Sequence, residues 1–250
     1  KAKDLGITIF SSPFDFTAVD LLEELNAPAY KIASFELIDL PLIKRVALTG
    51  KPMIMSTGMA NQEEIREAIN VARDNGCEEL IVLHCVSGYP APADQYNLKT
   101  IADISERFNV LSGLSDHTID NATAVASVTL GASLIEKHVT MDRNGGGADD
   151  SFSLEPHELK ALCRDTKTAW QAMGCINYDR TEAEKGNVKF RRSLYVVQDI
   201  KSGEVITSDN VRSIRPGFGL PPKYYSEVLG KTAKNDIPRG TALALQLLVD

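Results

Sequence analysis

Six short apolar runs, each ending in a polar group, recur along residues 7–140 and constrain the fold more than any other feature of the chain. Ile7–Ser12, Ala29–Ser34, Pro52–Thr57, Leu80–Val86, Val110–Ser115 and Ser133–Thr140 read as strands. Thr17–Leu25, Asn61–Asn75, Leu98–Phe108, Asn121–Leu130 and Glu155–Ala172 carry helical spacing of apolar residues. Asn61-Gln-Glu-Glu64 adds a helix N-cap followed by a capping acid. Strands that alternate with helices must run parallel, because parallel neighbours need a crossover connection. The polar ends are Ser11/Ser12, Lys31/Ser34/Glu36, Ser56/Thr57, His84/Ser87, His117 and His138. Chemistry at the end of every strand, rather than at one switch point, favours a TIM-type (β/α)8 barrel over an open doubly wound sheet. Six units are two short of closure, so the expectation is a barrel lacking its first two βα units, in keeping with a chain that starts at Lys1 without Met.

The character of the sequence changes after residue 175. Residues 176–189 are polar and read as a linker. Beyond them, Asp199-Ile-Lys-Ser-Gly203 is echoed by Asp236-Ile-Pro-Arg-Gly240, two glycine turns in the same frame 37 residues apart. That echo predicts a small pseudo-symmetric β module, with β runs at Ser193–Val197 and Thr241–Leu245. The organisation is therefore a partial barrel over 1–175, a linker over 176–189 and a β module over 190–250. Charge divides similarly, with 18 Lys/Arg against 28 Asp/Glu in residues 1–189 and 9 against 6 in residues 190–250. A net charge of −7 argues against a nucleic-acid binder. No apolar run suffices for a membrane span and no signal peptide is present. Cys77, Cys85, Cys163 and Cys175 show neither C-x-x-C nor zinc spacing, and read as buried free thiols in a reducing cytoplasm.

His117 and His138 close adjacent runs, flanked by Asp116 and Glu136. Two neutral imidazoles suit a divalent metal and leave coordination positions open for water and substrate. By strand alternation Ser115 shares a face with His117, and Glu136 with His138, while Lys137 points toward the helices. Lys31 lies inside an apolar strand and needs an anionic partner or a lowered pKa. It is either a Schiff-base lysine, an anion-binding cation, or one half of an internal ion pair. If Lys31 and Ser34 both serve one site, the strand must end or bulge near Ala33. Ser12, Ser56 and Ser87 are turn or cap hydroxyls singly, and a phosphate ring together. Thr57-Gly58 would let backbone N–H groups approach an anion. The Gly145-Gly-Gly-Ala-Asp149-Asp150 loop is a mobile segment or one whose acid holds sugar hydroxyls. Arg215-Pro-Gly-Phe-Gly219 presents a guanidinium on a rigid turn, suited to an acyl oxygen or carboxylate.

Lys31-Ile-Ala-Ser-Phe-Glu36, Met55-Ser-Thr-Gly-Met59, His84-Cys85, Tyr89-Pro90, Gly113-Leu-Ser-Asp-His-Thr118, Ile135-Glu-Lys-His138 and Ser153-Leu-Glu-Pro156 together resemble the sialic acid synthase family. Residues 190–250 look like that family's C-terminal antifreeze-like SAF domain, a β-clip. The resemblance implies a cytoplasmic transferase condensing phosphoenolpyruvate with an N-acylated amino sugar. It implies Mn²⁺, or Mg²⁺ or Co²⁺, on His117 and His138, and phosphoenolpyruvate contacts from Ser12, Lys31, Ser34, Ser56, Ser87 and Ser115. Ser12 stands where some members have Thr, and Ser87 where some have Asn. Glu36 matches the catalytic carboxylate, joined by Lys31, and Tyr89, Asp149 and Arg215 match sugar contacts. The arginine would come from the partner of a domain-swapped homodimer. Gly147–Pro156 and Arg212–Pro222 resemble the pseudaminic acid branch most, which implies 2,4-diacetamido-2,4,6-trideoxy-L-altrose as the sugar. N-acetylneuraminate or legionaminate synthesis, a Schiff-base aldolase on Lys31 and an inactive fragment are the alternatives. Ice binding does not follow, since likeness of fold does not carry function.

Overall fold

The computed structural model describes residues 1–249, which divide into two compact units at Cys175/Ile176. The first unit holds α1 (Phe16–Glu24), β1 (Tyr30–Ile32), α2 (Leu40–Ala47), β2 (Met53–Ser56), α3 (Gln62–Asp74), β3 (Leu80–Cys85), α4 (Thr100–Phe108), β4 (Leu111–Asp116), α5 (Ala122–Thr129), β5 (Ile135–Lys137) and α6 (Pro156–Met173). The strands form one curled parallel sheet in the order β1-β2-β3-β4-β5. Sequential parallel neighbours joined by helices are the unit of a β/α barrel, and five strands make a half-barrel.

Helices α1, α2 and α3 form where a side chain caps the first turn and one face is apolar. Asn61 Oδ1 accepts from the Glu63 and Glu64 N–H groups while Glu64 returns a bond to Asn61 N, the capping box read from the sequence. Helix α3 then buries Ile65, Ala68, Ile69 and Ala72. Helix α2 has no counterpart in the sequence reading. Its signals are the Asp39 side chain capping Leu42 N, Pro41 in the first turn, and Leu42, Ile43 and Val46 on one buried face. Those side chains meet Ile32, Met53, Met55 and Val82 from the sheet in the main core. A second cluster gathers Tyr96, Ile101, Leu114, Leu154 and Leu162 under β4 and β5.

The sequence reading needs correction at its first strand. Ile7–Ser12 is not a strand: among the described residues its one sheet contact is the parallel bridge from Ser11 to Tyr30. Ile7, Ile9 and Phe10 are 58%, 58% and 40% exposed, so the run lacks the second neighbour and covering layer that hold a parallel strand. The sheet therefore has five strands, not six. Cys163 and Cys175 are exposed rather than buried, although all four cysteines are free.

Gly113 lets β4 approach its neighbours. A Cβ there would meet the Leu134 carbonyl and lie 2.6 Å from Leu83 Cδ2. Gly113→Ala is expected to destabilise the first unit by about 1–3 kcal/mol, the usual cost of forcing a methyl into a packed site. A thermal melt checks this, and an unchanged midpoint would show that the ladder can open at β4.

The second unit contains α7 (Glu182–Lys185), β6 (Ser193–Val196), β7 (Val211–Ile214), α8 (Tyr225–Val228), β8 (Thr232–Ala233) and β9 (Leu248–Val249). Strands β6 and β7 pair antiparallel, as do β8 and β9. The 37-residue echo is a structural repeat. Ile200 and Ile237 exchange both backbone bonds, at 3.0 and 2.8 Å. Asp199 Oδ1 accepts from Arg239 N at 2.7 Å, and Asp236 Oδ1 from Ser202 N at 2.9 Å. Gly203 N bonds Ala233 O and Gly240 N bonds Val196 O, both at 2.8 Å, with both glycines left-handed. Thr241–Leu245 does not form the expected strand. Ala242 alone bridges Tyr195, and a 3-10 turn begins at Leu245.

Candidate active site

The C-terminal ends of β1 to β5 bring the predicted residues to one rim. A cavity of about 330 Å³ there is lined by Ser12, Lys31, Ser34, Ser56, Tyr89, Ser115, Glu136, His117 and His138, among others. Strand β1 ends at Ile32 and the chain turns through Ala33 into a 3-10 helix over Ser34–Glu36. That early end lets Lys31 and Ser34 face the same space, as the sequence reading required.

Lys31 is 8% exposed at its side chain, with Nζ 3.4 Å from Glu136 Oε2 and 3.3 Å from the Ile32 carbonyl. Ser115 Oγ donates to Glu136 Oε1 at 2.8 Å. Glu136, noted in the sequence as an acid flanking the histidines but given no task, thus links a cation and a hydroxyl of the site. Its signal is the register: Ser115 and Glu136 are directly paired on β4 and β5. The Ser56 and Ser87 hydroxyls and Glu36 Oε2 are buried without hydrogen-bond partners among the described residues. Orphaned polar atoms at a rim are costly unless a ligand completes them. Gly58 N donates to Ser34 Oγ at 3.0 Å, so the amide considered for anion binding is engaged by a serine here. A Cβ on Gly58 would lie 2.8 Å from that oxygen, which keeps the position glycine.

Two imidazoles and two aromatic rings converge. His117 and His138 have ring centroids 5.2 Å apart, Tyr89 stacks 4.3 Å from His117, and Phe152 lies 5.1 Å from His138. His117 Nδ1 lies 2.9 Å from the Val86 carbonyl, which can only accept, so Nδ1 carries the proton and Nε2 the lone pair. His138 Nδ1 lies 3.3 Å from Asp149 Oδ2, which selects the same tautomer. Burial and the neighbouring His117 hold His138 below its ordinary value, so it is neutral at pH 7. Burial also pulls His117 down, but Cys85 Sγ at 4.0 Å and the Val86 carbonyl outweigh it and raise the imidazole overall. Among the described residues no three His, Cys, Asp or Glu side chains gather as a metal site. Two free Nε2 atoms, each opposite an oriented Nδ1–H, fit a divalent cation that takes its remaining ligands from water and substrate.

Several predicted residues lie off the lining. Glu36 sits on the same 3-10 turn as Ser34. Ser87 abuts Gly58, and Asp149 reaches the site only through His138. Asp150 instead fastens the glycine loop, accepting from Gly147 N at 2.7 Å and Thr140 Oγ1 at 2.6 Å. His84 Nε2 bonds the Tyr96 carbonyl and so supports the loop after β3 rather than the cavity. Arg215 belongs to the second unit, where its turn is held by Ser193 Oγ bonding Pro216 O and Gly219 N. Phe152, 6% exposed, went unassigned in the sequence because nothing local distinguishes a wall of a site from a core aromatic.

A half-barrel with a cation, hydroxyls and imidazoles gathered at its C-terminal rim, followed by a separate β unit, has the architecture of an α/β-barrel enzyme. The chain belongs to the NeuB family, whose sequence model matches residues 1–178, and a SAF domain matches residues 191–249. It is 40% identical to a pseudaminic acid synthase of Helicobacter pylori, over 97% of this chain and 72% of that protein. It is 42% identical to an N,N'-diacetyllegionaminic acid synthase of Campylobacter jejuni, over 93% of this chain and 70% of that protein. The crystal structure of the Bacillus subtilis spore coat polysaccharide biosynthesis protein SpsE superposes with a TM-score of 0.67 at 32% identity, covering 100% of this chain and 75% of that one.

Proposed function

We propose that the protein is a nonulosonic acid synthase that condenses phosphoenolpyruvate with an N-acylated amino sugar and releases phosphate. The observation that carries this reading is the rim cavity, where Lys31, Ser34, Ser56 and Ser115 face the same space as His117 and His138. Lys31 and the serines bind and orient the carboxylate and phosphate, donors held in place before charge develops. His117 and His138 would hold a divalent cation, Mn²⁺ by preference, whose chemistry there is to polarise the sugar aldehyde oxygen. Tyr89 and Asp149 orient the sugar. Carbon–carbon bond formation leaves a cationic C2, and Glu36 takes the proton of the water that adds there. C–O cleavage then frees phosphate. No Schiff base is required, and Lys31 is paired with Glu136 rather than isolated.

The preferred sugar is 2,4-diacetamido-2,4,6-trideoxy-L-altrose, giving pseudaminic acid, on the strength of the Gly147–Pro156 loop and the pseudaminic acid synthase relative. The legionaminic relative, at 42% identity, supports that sugar's precursor as the second reading. Among the described residues no helix is long and apolar enough to cross a membrane. A cytoplasmic homodimer is part of the proposal.

The test is phosphate release from phosphoenolpyruvate with Mn²⁺ and each candidate sugar. Release with the 6-deoxy altrose sugar supports the preferred substrate. Release with N-acetylmannosamine or the legionaminic precursor moves the assignment within the class, and no release with any sugar returns it to the Schiff-base aldolase and inactive-fragment readings. Arg215→Ala is expected to raise KM for the sugar about tenfold, one charged hydrogen bond's worth, with KM for phosphoenolpyruvate little changed. Equal losses for both substrates would make the arginine structural.

A further inference from the structure

Asp116 and Lys137 face each other at the last registered pair of the β4–β5 ladder, one residue before His117 and His138. Their side chains are 0% and 3% exposed, and Lys137 Nζ lies 3.0 Å from Asp116 Oδ2. The same ammonium donates to the Thr118 carbonyl at 2.6 Å and the Asp120 carbonyl at 2.9 Å. Asp116 Oδ1 accepts from Thr118 N at 2.9 Å. The synthase reading gives neither residue a task.

A buried ion pair is a poor source of stability, since apolar residues of similar volume often replace it at no cost. Its placement is more informative. The backbone of His117 is held on both sides by one ammonium, through Asp116 before it and the Thr118 and Asp120 carbonyls after it. That ammonium belongs to the residue preceding His138. Any shift of Lys137 would therefore change the spacing of the two imidazoles. Tyr96, whose hydroxyl accepts from His117 N at 2.7 Å, adds a second hold on the His117 backbone.

We propose that the Asp116–Lys137 pair is a positioning clamp that sets the separation of His117 and His138, and with it the affinity of the site for a divalent cation. The inference rests on reading those histidines as metal ligands.

The test is a Co²⁺ titration of the protein without substrates, followed by the visible absorption of bound Co²⁺, beside a thermal melt of the metal-free protein. Removing one partner alone would strand a buried charge and unfold the unit, so two gentler variants are used. Asp116→Asn with Lys137→Met removes both charges and keeps volume. Lys137→Arg keeps the charge and displaces the donors. Both are expected to fold and to bind Co²⁺ about 10- to 100-fold more weakly, with an altered band, the usual cost of losing a residue that orients a ligand. A folded double variant with unaltered affinity and spectrum overturns the clamp, and if that variant does not fold, Lys137→Arg decides in the same way. Failure of the unsubstituted protein to bind Co²⁺, or undiminished binding after His117→Ala, overturns the metal reading itself and the clamp with it.

Discussion

His117→Ala is expected to abolish divalent-cation binding and to lower kcat/KM by about 10³-fold or more, the several kcal/mol that a polarising metal supplies. The effect is large because the described residues offer only two convergent imidazoles and no third ligand to compensate. Folding should suffer far less. Among the described residues the side chain's only polar hydrogen-bond partners are the Val86 carbonyl and a distant Cys85 Sγ, while the backbone bond to Tyr96 survives the substitution. Metal titration and phosphate release in parallel check the prediction. Undiminished metal-dependent turnover would remove His117 from the site's chemistry.

Glu36→Gln is expected to lower kcat by about 10²- to 10⁴-fold, the range for a lost general base. The same change should leave the melting point unchanged or raise it. Glu36 Oε2 is buried with no partner among the described residues, so a neutral amide there relieves a desolvation cost rather than breaking a contact. That opposite movement of activity and stability is the diagnostic. A parallel fall in both would show that Glu36 merely closes the 3-10 turn after β1.

The sequence revealed much of this site because parallel β/α units put chemistry where strands stop. Lys31 with Ser34 shows how far local reasoning reaches: their parity conflicted, and only a strand ending at Ile32 could reconcile them. The Asn61 capping box was equally legible, since all its bonds are local. Glu136 was not, because its role depends on register with Ser115 and on Lys31 of β1, at the opposite edge of the sheet. Ile7–Ser12 failed for a related reason. Apolar alternation states that a segment suits a sheet, but whether neighbours flank it is decided elsewhere. Helix α2 was overlooked although the Asp39 cap, Pro41 and the stripe of Leu42, Ile43 and Val46 are all local signals.

The doubled turn of the second unit has the logic of an isologous dimer. Asp199 serves the half that contains Arg239, and Asp236 serves the half that contains Ser202, so each copy supplies what the other lacks. Two separate peptides making these contacts would associate only above some concentration. Joined in one chain, they meet at an effective concentration fixed by the connection between them. The unit thereby owes its assembly to covalent continuity, and a nick between the two aspartates would turn a folding equilibrium into one that responds to dilution.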